Sequence, residues 1–200
     1  MRAIGLAACW LLLGCLSIGR AQSADDDPVY VALETSLGTV VVAVDTARAP
    51  LAGNYFLGYV DRGQYDGATL YRQASLDGGA DPQIVQGGIL LAALTATGPV
   101  DIARHGGAYL PDFEPTGQVG LRHQRGTVSL ARDLLYTGQV IPEIVISLRA
   151  VPSMDEGGSL RPDARGFPII GQVVSGMAVV DEVARRERAG ATTIDFLRGQ

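Results

Sequence analysis

The segment 34-ETSLGTVVVAVDTARAPLAGNYFLGYVDRGQYDGATLYR-72 decides the fold, because three periodicities follow one another within it. With the residues just upstream, its start reads as 29-VYVALETSLGTVVVAVD-45, two β-branched runs broken at Ser36-Leu37-Gly38, the pattern of a hairpin that opens a sheet. Ala49-Pro50 then changes the period. From Pro50 to Tyr59, Leu51, Tyr55, Phe56 and Tyr59 recur at helical spacing, and Pro50 is tolerated in the first turn, where its missing N–H would have no intrahelical acceptor. Asp61-Arg62-Gly63 ends that helix. Thr69 to Arg72 is strand-like again, and it ends on a permanent charge that is costly in a sheet unless it has a partner or a task.

Outward from this segment, short strand patterns recur at Gln83 to Gln86, Gly126 to Ala131, Ile144 to Leu148 and Ile169 to Val173, separated by Gly, Pro and Asp clusters. The stretch 176-GMAVVDEVARRE-187 puts Met177, Val180 and Val183 on one face and charges on the other, which predicts a second amphipathic helix. Thr192 to Phe196 predicts a closing strand. Two helices among many short strands point to a mainly β barrel with plugged ends, since closure removes exposed edges. Leu76 to Pro82 and Val151 to Arg165, rich in Gly, Asp, Pro and Ser, are expected to be binding rims or insertions. No repeat or boundary interrupts the chain after its first residues, so one domain is expected over 29–198.

The N-terminus, 1-MRAIGLAACWLLLGCLSIGRAQSADDD-27, has a short basic start, an apolar run and small residues before an acidic triplet. That order predicts a secretory signal over 1–23, cut after Ala21-Gln22-Ser23. The run is marginal for a spanning helix, which needs about 20 apolar residues, so an uncleaved anchor is one alternative. Leu12-Leu13-Gly14-Cys15 resembles a bacterial lipobox, and acylation of Cys15 is another. Cys9 and Cys15 both lie in this leader, so a cleaved product has no thiol and depends on packing for stability.

Counting residue types removes several chemistries. The formal net charge is −5 and the cations are all arginine, a surface that repels phosphate backbones and argues against a nucleic-acid partner. His105 and His123 lack carboxylates at zinc-site spacing and read as surface or loop residues. Gly78-Gly79, Gly87-Gly88 and Gly157-Gly158 lack the context of phosphate-binding loops, and Ser129 in 126-GTVSLAR-132 has no nucleophile-elbow pattern.

Taken in order, the opening segment, 84-IVQGG-88, 113-FEPTGQVGLRHQRGTVSLAR-132, 166-GFPIIGQVVSGMAVVDEV-183 and the closing strand resemble a cyclophilin-type peptidyl-prolyl cis-trans isomerase. The exported bacterial branch is nearest, since there a loop separates the arginine strand from Ile-x-Gln-Gly-Gly. The resemblance implies a closed eight-stranded antiparallel β-barrel capped by two α-helices, with substrate held in a groove on the outer wall and no cofactor or metal. It implies proline-containing segments of unfolded or partly folded exported proteins as partners. The implied location is the bacterial periplasm, with membrane attachment only through a lipid at Cys15. Arg72 takes the place of the catalytic arginine, and Tyr71, Ile84, Gln86, Ala131, Arg132, Glu143, Val145 and Phe167 fall at or near substrate-contacting positions.

An X-Pro bond rotates over a barrier of about 18–20 kcal/mol because rotation breaks amide resonance. In the twisted transition state the prolyl nitrogen regains a lone pair, which a fixed guanidinium stabilises more than it stabilises the planar ground state. The plainer alternative is that Arg72 only pairs with a carboxylate on the barrel wall. Where the family carries two adjacent phenylalanines, 142-PEIVISL-148 has Ile144 and Val145, a loss of apolar contact worth about 1–3 kcal/mol. Arg132 stands where many members have asparagine, Glu143 where they have glutamine, Phe167 near the aromatic or histidine position, and Met154 offers apolar surface. Two expectations follow: a prolyl isomerase, slow or with altered preference, or a peptide-binding chaperone module without turnover.

Overall fold

The computed structural model describes residues 27–95, 101–133 and 137–186. β1 (Val29–Thr35) and β2 (Gly38–Val44) form the expected hairpin, closed at Ser36 and Leu37 by the Thr35 hydroxyl, which donates to the Gly38 carbonyl at 2.7 Å. In β2 the alternation is strict: Val40, Val42 and Val44 are buried while Thr39, Val41 and Ala43 face outward, as a half-buried strand requires.

α1 (Pro50–Asp61) follows, burying Ala52, Gly53, Phe56 and Tyr59. No neighbouring side chain caps it. Its first free N–H groups, those of Leu51 and Ala52, donate instead to the carboxylate of Glu114 at 2.6 and 3.3 Å. An anion at the positive end of a helix is favourable, and here it ties the helix to a segment more than sixty residues away.

β3 (Thr69–Ala74), β4 (Ile84–Gly88), β5 (Thr127–Arg132), β6 (Val140–Ser147) and β7 (Ile169–Ser175) complete a curled antiparallel sheet in the order β1-β2-β7-β5-β6-β4-β3. β6 starts at Val140, four residues before the strand expected at Ile144, because its early half pairs with β5 through Arg132 and Val140. Three further α-helices are present among the described residues: single-turn segments α2 (Leu91–Thr95) and α3 (Thr116–Val119), and α4 (Met177–Arg185).

The concave side of the sheet holds the main core, with Val42, Val85, Val128, Leu130, Ile144, Ile146 and Ile170 packed around Phe56 of α1 and Val180 of α4. α4 also bridges toward the far edge, since Gln73 of β3 donates to the carbonyls of Val183 and Arg186 at 2.8 and 3.2 Å. Among the described residues, where a closed barrel of eight strands was expected, the sheet is a half-barrel of seven. The leader over 1–23 with Cys15, and the closing strand at Thr192 to Phe196, lie outside the described residues.

Candidate active site

Register across the convex face lines up Arg72 on β3, Gln86 on β4, Val145 on β6 and Ser129 on β5 as successive partners. The Arg72 guanidinium donates to Gln86 Oε1 at 2.8 Å. It is half-buried, and this burial lowers its pKa, with Tyr71 opposing. Its role needs no proton transfer, because arginine stays charged.

A bulge supplies the second feature. Leu70 pairs with Gly87 and Arg72 with Gln86, so Tyr71 is the extra residue and its side chain turns to the same face as Arg72. The Tyr71 hydroxyl donates to Glu143 Oε2 at 2.6 Å, and Gln86 Nε2 donates to the Tyr71 oxygen at 3.4 Å. The other oxygen of Glu143 accepts the N–H of Leu90 at 2.7 Å. Glu143 is 0% exposed, and this desolvation pushes its carboxyl up to about 7 even though Tyr71 and the N–H groups of Leu90 and Ile89 favour the anion. The glycine pair makes the approach feasible: a Cβ at Gly88 would sit 2.5 Å from Glu143 Oε1, and one at Gly87 would sit 2.2 Å from the Thr69 carbonyl.

Beside this polar group, Ile84, Ala131, Val145 and Met154 form an apolar cluster with Leu90, Ala93 and Ile102, and Phe167, Leu160 and Tyr71 pack against it. Ile84 and Val145 are each only 2% exposed. Two cavities lie elsewhere, one of about 560 Å³ beside Leu51, Phe113 and Glu114 and one of about 180 Å³ beside Thr127 and Gln172.

Arg132, expected to meet substrate, is placed differently. Its guanidinium is fully buried, donates to Asp163 Oδ1 and the Gly166 carbonyl at 2.9 Å each, and also bonds Asp163 Oδ2 and the Gly138 carbonyl. It holds the Asp163 carboxyl down at about 2. A second tie runs beside it, from Arg161 to Asp133 Oδ1 at 3.0 Å and to the Asp133 carbonyl at 2.8 Å. Together they bind the 155–166 loop against the end of β5 and bring Leu160 onto the apolar cluster. Asp133, Leu160, Arg161 and Asp163 carried no pattern in the sequence that named their partners. His123, read as a surface or loop histidine, is in a loop but fully buried, with Nδ1 2.7 Å from Asp155 Oδ1. Among the described residues no cluster of His, Cys, Asp and Glu is arranged to hold a metal ion, and no helix is long and apolar enough to cross a membrane.

The profile of the cyclophilin-type peptidyl-prolyl cis-trans isomerase/CLD family matches residues 30–195, which takes in every strand described above but for Val29, the first residue of β1. The chain belongs to this family. It is 28% identical over 180 residues to peptidyl-prolyl cis-trans isomerase A of Dickeya dadantii, covering 90% of this chain and 83% of that protein. It is 25% identical over 162 residues to a peptidyl-prolyl cis-trans isomerase of Streptomyces antibioticus, covering 76% and 81%. A cyclophilin-type isomerase of Cryptosporidium parvum, crystallised in the presence of the dipeptide Ala-Pro, superposes with a TM-score of 0.59 at 18% identity, over 83% of this chain and 89% of that one. At that identity the likeness concerns the fold.

This face of the sheet has two unequal halves. The arginine and glutamine face each other in bonding register, while beside them Val145 lies in an apolar cluster against which Leu160 of the 155–166 loop packs.

Proposed function

We propose that this cyclophilin accelerates cis–trans rotation about X-Pro bonds, with Arg72 as the catalytic residue. The observation that carries the reading is the Arg72–Gln86 pair: a half-buried guanidinium on the convex sheet face donates to a neutral amide oxygen at 2.8 Å, which fixes its orientation. A cation so held is already oriented when a lone pair develops on the prolyl nitrogen during the reaction. Gln86, 6% exposed, orients the guanidinium and offers an amide to the substrate backbone. Tyr71, Ile84, Ala131, Val145 and Phe167 form the surroundings of the prolyl ring, and Glu143 supports them from behind.

The substrates are proline-containing segments of unfolded or partly folded exported proteins. The signal-like order of residues 1–23 supports this reading, in which the protein works in the periplasm or, with Cys15 acylated, on a membrane facing it. A second reading, a peptide-binding module with little turnover, is favoured by one observation: Val145 is covered, so a proline ring has to displace the packing around it. An exchange assay on Ala-Pro and other X-Pro peptides separates the two. Turnover in the wild type that falls about 100-fold or more in Arg72→Ala supports catalysis, by analogy with removal of one oxyanion-hole donor. Peptide binding without acceleration by either protein establishes the second reading.

A further inference from the structure

Tyr71, Gln86 and Glu143 do more than fill space beside Arg72, because their donors and acceptors can be assigned in only one way. Arg72 only donates, so Gln86 must turn its oxygen toward the guanidinium. The Gln86 amide nitrogen then faces the Tyr71 oxygen, which leaves the Tyr71 hydrogen for Glu143. Every bond in the chain therefore donates in the same direction, from the cation to the buried carboxylate. Such a chain reverses as a unit. If Glu143 carries a proton on Oε2, that oxygen donates to Tyr71, and the Tyr71 hydrogen must turn toward Gln86. Gln86 then answers with its oxygen, and its NH₂ is left facing Arg72, a donor set against a donor.

We propose that Tyr71 and Glu143 are positioning residues for Arg72, the ionised carboxylate fixing, through Tyr71, the orientation of the Gln86 amide that holds the guanidinium. This rests on Arg72 being the catalytic group. The bulge that turns Tyr71 onto this face and the glycine pair that admits Glu143 belong to the same device. Because burial brings Glu143 to about 7, the switch falls near neutral pH. The titratable groups that act on Glu143 are Tyr71 on β3, Tyr55 on α1 and Tyr65 in the turn after it, with Arg72 the nearby cation. Burial raises all three tyrosines above their ordinary value, so none of them titrates in the same range.

The test follows kcat/KM for an Ala-Pro peptide from pH 5.5 to 8.5 in the wild type, Glu143→Gln, Tyr71→Phe and Arg72→Ala. In the same samples the side-chain amide signals of Gln86 are followed by NMR. In the wild type we expect kcat/KM to rise about tenfold with a midpoint near 7, the size of one lost hydrogen bond to a charged group, and to do so in kcat rather than KM. The Gln86 signals should move with the same midpoint. Glu143→Gln presents an NH₂ to Tyr71 as the protonated acid would, so its profile should lie flat on the low plateau. Tyr71→Phe, which keeps the ring and removes the relay, should also be flat. A wild-type profile and Gln86 signals that ignore pH, or a Glu143→Gln profile that tracks the wild type, overturn the proposal. If Arg72→Ala retains full activity the catalytic reading falls, while the Gln86 titration still decides whether the chain reverses.

Discussion

The convex face of the sheet divides into two halves that have met the same problem, burial, by opposite means. Around Arg72 the groups are polar and partnered: guanidinium, amide, phenol and carboxylate form one chain across β3, β4 and β6. A few residues away Ile84, Ala131, Val145 and Met154 are buried by contact alone, and the loop over them is tied down by Arg132–Asp163 and Arg161–Asp133. The difference teaches that orientation of a charge and shape of a pocket are separable properties of this fold. The first needs four side chains in register and tolerates no substitution of Gly87 or Gly88 without movement. The second needs only apolar volume, which a ring, a valine or a neighbouring loop can each supply.

The widest gap between the halves is expected at the loop ties. Asp133 is 2% exposed, and besides Arg161 it accepts the N–H and hydroxyl of Thr137 at 3.0 and 2.5 Å. Asp133→Ala removes the buried carboxylate to which Arg161 donates, which costs about 3–5 kcal/mol. A urea midpoint lowered by that amount at unchanged slope is the expected result. A loss below about 1 kcal/mol would show that the loop is held by Leu160 and its neighbours, and that the ties are incidental.

The polar half should respond to pH in the opposite sense to an ordinary ion pair. Glu143 binds its proton more tightly in the folded protein, at about 7, than at the ordinary 4.5 of the unfolded chain. Its contribution is therefore fully present below about 4.5 and is lost as the pH rises through 7. The burial cost that appears above that range is on the order of 3 kcal/mol. Glu143→Gln has no such term, so its stability relative to the wild type should rise steadily between those limits. Parallel pH–stability curves for the two proteins would mean that water reaches the carboxylate and that the chain is looser than its distances suggest.

The unequal halves were also unequally legible in the sequence. The described strands and both long helices could be read because each rests on a local period or on a motif whose parts are adjacent, as 84-IVQGG-88 is. What could not be read involves a partner chosen by tertiary folding. Alternation puts Tyr71 and Arg72 on opposite faces, and only the bulge reveals that they share one. Arg132 was expected at a substrate-contacting position from the resemblance, but Asp163, thirty-one residues later, draws its guanidinium inside. Glu114 at the start of α1 and Asp155 beside His123 belong to the same class: buried polar groups whose partners no spacing rule supplies.

The smallest expected effect bears most directly on whether the apolar half is a pocket rebuilt or a pocket filled. Val145→Phe puts an aromatic ring into a site that is 2% exposed, so the ring must push on its surroundings, at a cost of about 1–3 kcal/mol. If Leu160, which packs on this cluster, occupies the space the ring needs, then Leu160→Ala relieves the strain. The double variant should be more stable than the sum of the single losses by about 1 kcal/mol. Its KM for an Ala-Pro peptide should fall at unchanged kcat, since the ring adds contact to substrate and transition state alike. Strict additivity would place Leu160 outside the pocket, and the covered valine would then be a property of the sheet itself, with the two halves differing in the strands that build them rather than in the loop laid over one of them.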